Sequence, residues 1–391
     1  MDDPSPAAAL RAFWIGGFEG ADHVNANGEA LDMAASSGHL ERLDADYARA
    51  AAAGIGAVRE SVGWRLCEPA PGTYDFERVR RIGEAAGRHG LQVLWTLMHY
   101  GLPADLDLHD DRLIDRFAAF AAAASRAIAE VDRSGPRVYN PINEISFLAW
   151  AAIETEWMGP RAVHRRSPDA PPDDTRVSGY VLKRRLVRAD LAGMDAIRAV
   201  DPDARYLHVD PLVHVVPPAD RPELQPLADE VAAFQWQAFD LLAGRREPDL
   251  GGSPAALDIV GVNQYHSGQW EVLTEARLEW HTGDPRRRPF ADMLDEAWRR
   301  YGRPLVIAET SHIGSGRAAW LDGIAQEVVE ARARGVPVEG LCLYPLVDRH
   351  DWNDRSHWHQ SGLWDRCDNG GMALVVPYAQ SLARWQEVLR S

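Results

Sequence analysis

The sequence contains almost no lysine. Lys183 is the only lysine among 391 residues, so arginine carries nearly all of the positive charge. Lys183 lies in a basic run with Arg184 and Arg185, which predicts a solvated helix face. A mechanism that needs a lysine Schiff base is therefore disfavoured.

Long apolar runs, paired cysteines and a leader-like N-terminus are also missing. No run approaches the ~18 apolar residues of a membrane span, and the first residues have neither the cationic nor the apolar region of a secretory signal. Cys67, Cys342 and Cys367 predict neither a disulfide framework nor a zinc ribbon. Cys342 is expected to be a small apolar core residue. We expect a cytoplasmic protein that does not bind a membrane.

The chain is strongly acidic, with a net charge of −16. This charge disfavours nucleic acid and anionic membrane surfaces as partners. With 46% hydrophobic and 26% charged residues, the composition indicates a folded protein with a large core.

Short apolar runs alternate with amphipathic stretches along the whole chain. The runs predict strands at residues 13–18, 56–61, 91–97, 138–142, 206–210, 257–263, 305–308 and 341–344. The stretches predict helices at residues 112–131, 181–200, 227–242, 318–333 and 378–389. The alternation predicts an α/β fold, a single (β/α)₈ TIM barrel over residues 1–391 with a surface loop at 160–174. Because Gly16-Gly17 lacks the G-x-G-x-x-G spacing, a dinucleotide-binding sheet is disfavoured.

Polar, acidic and aromatic residues follow the predicted strands. In such a barrel the carboxyl ends of the strands meet at one face, which carries the chemistry. Carboxylates and amides can bind the hydroxyls of a neutral sugar, and aromatic rings can cover its C–H faces. Glu144 and Glu309 each follow an apolar strand directly, and hydrolysis of a glycoside needs such a pair of carboxyl groups.

Six segments resemble, in the same order, motifs of glycoside hydrolase clan A, and most closely those of family 1, the β-glucosidase family. The resemblance as a whole covers roughly residues 13–365, and the six segments lie between residues 58 and 352. They are residues 58–64 (VRESVGW), 96–103 (TLMHYGLP), 142–145 (INEI), 260–265 (VGVNQY), 306–309 (VIAE) and 344–352 (YPLVDRHDW).

The resemblance implies a retaining β-glycosidase that needs no cofactor. By position, Glu144 would be the general acid/base and Glu309 the nucleophile, while Arg59 and Tyr265 would orient Glu309. The carbohydrate substrate would be bound by Glu19, His99, Asn143, Tyr344, Asp351 and Trp352. Asn143 would contact the sugar 2-hydroxyl.

The chain also departs from the family pattern. Glu19 stands where the family has glutamine, Tyr344 where it has tryptophan, and Asp351 where it has glutamate. Relatives that act on 6-phosphorylated sugars hold the phosphate with a lysine after strand 8, so the absence of such a lysine and the charge of Asp351 predict an unphosphorylated glycone, although Arg349 or Arg355 could replace that cation. Relatives in the clan also carry a cis peptide directly after the strand 8 aromatic. Because the next residue here is Pro345, the resemblance predicts a cis Tyr344–Pro345 bond, with the tyrosine ring under the sugar.

Three other functions are compatible with the same residues. The carboxylate pair could serve a transglycosylase, or the barrel could bind a sugar without catalysis. Fourteen histidines, among them His350, His357 and His359, also allow a metal-dependent hydrolase. We expect no metal, because strand 1 is apolar where metal-dependent barrels carry an H-x-H pair.

Overall fold

Eight parallel strands close into a barrel in the computed structural model, which describes residues 9–158 and 175–390. Each strand pairs with the next along the chain, and the eighth pairs with the first. The predicted (β/α)₈ fold is therefore confirmed. The strands are β1 (Trp14–Gly17), β2 (Ala57–Ser61), β3 (Gln92–Met98), β4 (Val138–Ile142), β5 (Arg205–Pro211), β6 (Ile259–Asn263), β7 (Leu305–Thr310) and β8 (Val338–Leu343).

The strands form where the sequence has continuous apolar runs. Every residue of β3, β4, β6 and β7 is buried, because one face of the strand lines the barrel and the other faces the helices. All eight predicted strands match observed ones, with ends that differ by a few residues.

Helices surround the barrel in the described ranges. They are α1 (Met33–Ser36), α2 (His39–Ala52), α3 (Trp64–Cys67), α4 (Glu77–Arg88), α5 (Leu113–Val131), α6 (Ile145–Glu154), α7 (Thr175–Arg198), α8 (Gln225–Ala233), α9 (Gln237–Leu242), α10 (Phe290–Tyr301), α11 (Arg317–Ala333) and α12 (Val376–Val388). None of them is long and apolar enough to cross a membrane.

The predicted single helix over 227–242 is wrong, because a 3₁₀ turn at Phe234–Trp236 separates α8 from α9. The predicted surface loop at 160–174 lies outside the described residues.

A buried cluster takes at least one residue from every strand and fills the barrel interior. Ile15, Ala57, Leu94 and Cys342 belong to it, which confirms the core position expected for Cys342. Since side chains alternate along a strand, Arg59 points to the same side as Ala57, one layer nearer the carboxyl ends. The apolar layer therefore supports the residues of the barrel mouth from below.

Lys183 does not lie on a solvated face. It is only 5% exposed, and its ammonium donates to the carbonyl of Phe234 at 3.2 Å and to Gln237 at 2.9 Å. Burial lowers the pKa of Lys183 to about 8. The expectation of an exposed lysine was wrong because α7 packs this side of the helix against the segment around α9.

Two short ribbons lie in the loops outside the barrel. His214–Val216 pairs in parallel with Gln269–Glu271, and so joins the loops that follow β5 and β6. Trp364–Arg366 pairs antiparallel with Met372–Leu374 between β8 and α12.

Candidate active site

Glu144 and Glu309 both lie at the carboxyl ends of barrel strands. Glu144 directly precedes α6, and its φ of +46° is a left-handed conformation that is uncommon for a residue with a side chain. Its N–H donates to the carbonyl of Val209 at 3.0 Å. Asp210 accepts from the N–H and the hydroxyl of Ser146 at 2.9 and 2.6 Å. These bonds to β5 hold Glu144 and the start of α6 in place.

The Glu309 carboxylate is held by two donors from other strands. Arg59 donates to Oε1 at 2.8 Å, and the Tyr265 hydroxyl donates to Oε2 at 2.7 Å. Arg59 is 2% exposed and also donates to the carbonyl of Ala308 at 2.8 Å, which fixes the direction of its guanidinium. The arginine supplies a counter-charge, and the two donors together fix the orientation of the carboxyl group.

Among the residues that the structure describes, only uncharged groups donate to the Glu144 carboxyl group. Asn263 donates from Nδ2 to Oε1 at 2.7 Å, and the Tyr100 hydroxyl donates to Oε2. Burial and the negative charge of Glu309 raise the pKa of Glu144 well above its ordinary value, and the bonds from Tyr100 and Asn263 oppose that rise. Glu144 is therefore the carboxyl group of the pair that holds a proton near neutral pH.

Asn143 connects the surroundings of the two glutamates. Its Oδ1 accepts from Arg59 at 2.9 Å, and its Nδ2 lies 3.2 Å from the Tyr100 hydroxyl. Arg59 also contacts Glu309, and Tyr100 also contacts Glu144. One amide thus fixes both groups relative to each other.

His99 is a neutral residue of the same network. Its Nε2 lies 3.3 Å from Nδ2 of Asn143, and its Nδ1 lies 2.9 Å from the hydroxyl of Ser61. Burial is the main cause that holds the pKa of His99 well below its usual range, and the charge of Arg59 acts in the same direction. Since the amide donates to Nε2, the ring proton belongs on Nδ1.

Tyr344 lies against the first strand. The Tyr344–Pro345 bond is cis, as predicted. The centroid of the Tyr344 ring is 5.4 Å from the guanidinium carbon of Arg59, and the Tyr344 hydroxyl accepts from the N–H of Gly20 at 3.3 Å. A Cβ at Gly17 would lie 2.0 Å from the ring, so only glycine leaves room for it.

Glu19 is buried and paired with an arginine. Its Oε2 lies 3.0 Å from Nε of Arg349, and its Oε1 accepts from the N–H of Ala21 at 3.1 Å. The Tyr344 hydroxyl is 3.5 Å from the same Oε1. The carboxylate that replaces the family's glutamine thus has its own counter-charge.

Trp352 and Asp351 take different positions although they are neighbours in the chain. The centroid of the Trp352 ring lies 4.8 Å from that of His23 and 6.0 Å from that of Tyr100, whose hydroxyl donates to Glu144. Asp351 accepts from the N–H of Asn353 at 2.8 Å and faces Nε2 of His359 at 3.2 Å. The structure therefore brings Trp352 to the other predicted site residues, whereas the contacts of Asp351 stay within its own loop.

Sequence reasoning gave no role to two residues of this network and considered Arg349 only as a possible cation for a phosphate. Tyr100 and Asn263 donate to Glu144, and Arg349 balances Glu19. Tyr100 follows His99 directly inside a recognised motif, and Asn263 ends a predicted strand, so both had a positional signal. Arg349 had none that pointed to Glu19, because 330 residues separate the two.

A cavity of about 490 Å³ lies beside the network, at the ends of β6 and β7. His266, Arg277, Trp280 and His312 are among the residues that line it. Trp280 donates from Nε1 to Nε2 of His312 at 3.0 Å. Because His266 directly follows Tyr265, this space is close to the residue that holds Glu309.

The histidines that suggested a metal have other partners. His350 contacts the hydroxyl of Ser36 at 2.7 Å, and His359 contacts Asp351 at 3.2 Å. Among residues 9–158 and 175–390, no three His, Cys, Asp or Glu side chains are grouped so that they could hold a metal ion.

Comparisons with known proteins place the chain by structure only. No family model and no curated protein matches its sequence. The β-glucosidase from Thermotoga maritima in complex with castanospermine matches with a TM-score of 0.72 at 16% identity, over 96% of this chain and 98% of that one. The β-glycosidase from Thermosphaera aggregans matches with a TM-score of 0.74 at 15% identity, over 96% of each chain. The β-glycosidase BGL167 matches with a TM-score of 0.69 at 18% identity, over 91% of this chain and 88% of that one. At such identities the likeness establishes that the chain has the barrel fold of these glycosidases.

Proposed function

We propose that the chain is a retaining β-glycosidase with Glu309 as nucleophile and Glu144 as general acid/base. The observation that carries the proposal is the opposite surroundings of two buried carboxyl groups at the barrel mouth. Arg59 and Tyr265 both donate to Glu309, and Arg59 supplies its counter-charge, while burial beside Glu309 raises the pKa of Glu144. A carboxyl group whose pKa is raised suits the role of the acid, and one that is paired with an arginine suits the role of the nucleophile.

In the first step the Glu309 carboxylate attacks the anomeric carbon of the sugar. The bond from that carbon to the leaving oxygen breaks, and Glu144 gives its proton to this oxygen. The products are an ester between the sugar and Glu309 and a free alcohol. As Glu309 loses its charge, the electrostatic cause that raised the pKa of Glu144 disappears.

In the second step Glu144, now a carboxylate, takes a proton from water. The water oxygen attacks the anomeric carbon and the ester bond to Glu309 breaks, which releases the sugar and restores both carboxyl groups. Tyr100 and Asn263 stabilise the carboxylate form of Glu144 needed here. These two bonds therefore serve the second step more than the first.

The substrate we propose is an unphosphorylated β-linked glycoside. Solved structures of the Thermotoga maritima β-glucosidase contain castanospermine and glucoimidazole, which supports a sugar-sized ligand. Glu19, His99, Asn143, Tyr344, Asp351 and Trp352 would bind the sugar. We also propose that residues 1–391 act as a single catalytic domain.

Hydrolysis of aryl β-glycosides with different sugars tests the proposal directly. We expect turnover that a chelator does not reduce, release of the sugar first as its β-anomer, and loss of at least about 10⁴-fold in Glu309→Gln. Glu84→Gln, at an exposed position of α4, is the matched control and should keep wild-type rates.

The outcomes separate the competing functions. Release of the α-anomer would mean inversion and overturn the nucleophile assignment. Dependence on a metal would favour a metal-dependent hydrolase. Sugar binding without turnover would favour a non-catalytic barrel, and products formed mainly with an added alcohol or sugar would favour a transglycosylase.

A further inference from the structure

Glu19 and Arg349 form an ion pair across the barrel mouth. Glu19 follows β1 and Arg349 follows β8, and their charged atoms are 3.0 Å apart. The Glu19 side chain is 5% exposed, while that of Arg349 is 24% exposed. Arg349 also donates from Nη1 to the carbonyl of His350 at 3.2 Å. Within the described residues no hydrogen bond is made by its Nη2, so one edge of the guanidinium is open to a ligand.

The pair lies between residues that contact the two catalytic candidates. On one side, Glu19 is next to Tyr344, whose ring lies against Arg59, the partner of Glu309. On the other side, the Arg349 guanidinium lies 5.8 Å from the Trp352 ring. That ring is 6.0 Å from Tyr100, the partner of Glu144. Tyr344 therefore lies between the ion pair and the network of Glu309, and Trp352 lies between the ion pair and the network of Glu144. The sugar pocket would lie between the two networks.

The charges within the networks of Glu309, Glu144 and Glu19 cancel in pairs. Arg59 balances Glu309, Arg349 balances Glu19, and burial raises the pKa of Glu144 so that it is uncharged. Burial, followed by the charge of Arg59, keeps His99 uncharged. An anionic ligand would therefore meet a guanidinium that already has a carboxylate beside it, and it would gain little from that contact.

We infer that the Glu19–Arg349 ion pair is the specificity element that restricts the pocket to an uncharged sugar, and that loss of Glu19 alone would admit a uronate. The inference rests on the proposed function, because it assumes that the sugar occupies the space between the two networks. Glu19 can accept from sugar hydroxyls and Arg349 can donate to them, so the pair binds hydroxyls without a net charge.

Charge-balanced variants test the inference without relying on turnover. Glu19→Gln leaves Arg349 unpaired, Arg349→Gln leaves Glu19 unpaired, and the double variant restores neutrality. Affinities are measured by calorimetry for two matched pairs of thioglycosides that resist hydrolysis. These are phenyl 1-thio-β-D-glucoside with the corresponding glucuronide, and the galactoside with the galacturonide. The two members of each pair differ only at C6, which is a hydroxymethyl group in the neutral sugar and a carboxylate in the uronide.

The wild type should bind the neutral member of at least one pair at least about tenfold more tightly than the uronide. Glu19→Gln should shift the ratio toward the uronide by about tenfold, and Arg349→Gln should shift it the other way. The double variant should return to the wild-type ratio. Arg355→Gln, in the same loop with 54% of its side chain exposed, is the matched control and should leave the ratio unchanged.

Three results would overturn the inference. They are tighter uronide binding by the wild type, equal ratios in both single variants, and no binding of any of the four probes. The aryl β-glycoside assay decides the proposed function separately. If the enzyme hydrolyses aryl β-glycosides but the single variants keep the wild-type ratio of affinities for the neutral sugar and the uronide, the role of the ion pair is rejected and the catalytic assignment stays intact.

Discussion

The phenolic hydroxyl of Tyr100 donates directly to Oε2 of Glu144. The same hydroxyl lies 3.2 Å from Nδ2 of Asn143, and the backbone φ of Tyr100 is +80°, far from the usual range of a residue with a side chain. Burial and the nearby Glu144 charge raise the pKa of Tyr100 well above its ordinary value, so it remains a donor. A residue in an uncommon backbone conformation thus opposes the rise in the pKa of the candidate acid that burial and Glu309 cause.

Tyr100→Phe should shift the pH dependence of the enzyme toward higher pH. The Tyr100 bond lowers the pKa of Glu144 against the effects of burial and of Glu309, so its loss lets Glu144 keep its proton to higher pH. A hydrogen bond with a net value of about 1 kcal/mol corresponds to roughly 0.7 of a pH unit. The basic limb of the kcat/KM profile measures this shift.

Tyr139→Phe is the matched control for that variant. Tyr139 is also buried, but its hydroxyl bonds to Asp201 at 3.0 Å, away from the carboxylate network. Its profile should equal that of the wild type. A basic limb that stays in place or moves to lower pH in Tyr100→Phe would show that the phenol does not act on Glu144.

Azide should distinguish the two glutamates by the product that it forms. In Glu144→Ala the sugar still reaches Glu309 when the leaving group is good, and azide then attacks the ester from the opposite face to give a β-glycosyl azide. In Glu309→Ala azide occupies the vacated space, attacks directly, and gives an α-glycosyl azide.

The anomeric coupling constant in the proton NMR spectrum of the product identifies each azide. Each variant should lose roughly 10²–10⁴-fold or more in turnover without azide. The same anomer from both variants, or reversed anomers, would contradict the assigned roles.

The fold could be predicted because a parallel barrel leaves a strong pattern in the sequence. A strand such as β3, buried on both faces, appears as a continuous apolar run. The closed topology then brings the carboxyl ends of all eight strands together, so residues such as Arg59 and Glu309, 250 positions apart, could be assigned to one site. Strand positions and the set of strand-end residues therefore follow from local patterns plus topology, whereas the roles of the individual residues came from the resemblance to family 1.

The conformations of the loops leave no comparable pattern in the sequence. Asp351 occupies the predicted loop, but its carboxylate bonds to backbone N–H groups of that loop and to His359. Arg349, two residues earlier, reaches Glu19 instead. Which of two nearby charged side chains faces the pocket depends on backbone turns that have no periodic signal. The burial of Lys183 was missed for a similar reason, because it depends on how α7 packs against α9.

A buried histidine outside the site should make stability depend on pH. His39 contacts Asp46 at 2.9 Å and Glu60 at 3.0 Å, and Tyr47 donates to the same oxygen of Glu60 at 2.6 Å. Burial lowers the pKa of His39, but Glu60 and Asp46 outweigh burial and raise it from 6.5 to about 9. The contribution of this histidine to stability is therefore complete below about pH 6.5 and is lost as the pH rises through 9.

His39→Gln tests that expectation. Among the described residues it leaves Glu60 without a charged partner, whereas Asp46 keeps its ion pair with Arg49 at 2.8 Å, and its free energy of unfolding should fall by about 2–4 kcal/mol at pH 6. The difference from the wild type should become smaller between pH 6.5 and 9, as measured by urea unfolding at several pH values. His89→Gln, at a more exposed histidine beside Asp44, should show no such trend. A difference that grows with pH would mean that His39 is neutral in the folded protein.

Gly17→Ala should reduce activity while the barrel still folds. A Cβ at this position would lie 2.0 Å from the Tyr344 ring, so the ring must move away from β1. The ring also contacts Arg59, which holds Glu309, so its movement should misplace the nucleophile and the proposed floor of the sugar pocket. A displacement of about 1 Å can reduce turnover by roughly 10²-fold, whereas local overpacking typically costs about 1–3 kcal/mol of stability.

The matched control is Gly87→Ala, because Gly87 lies in α4 and a Cβ there would meet nothing within 4 Å. That variant should keep full activity and gain up to about 1 kcal/mol in stability, since alanine favours a helix more than glycine does. Rates with aryl glycosides and urea unfolding, measured on both variants, separate the effect on the pocket from the effect on the fold. Full activity in Gly17→Ala would show that the position of Tyr344 against β1 is not needed for catalysis, and the proposed role of this ring under the sugar would then be abandoned.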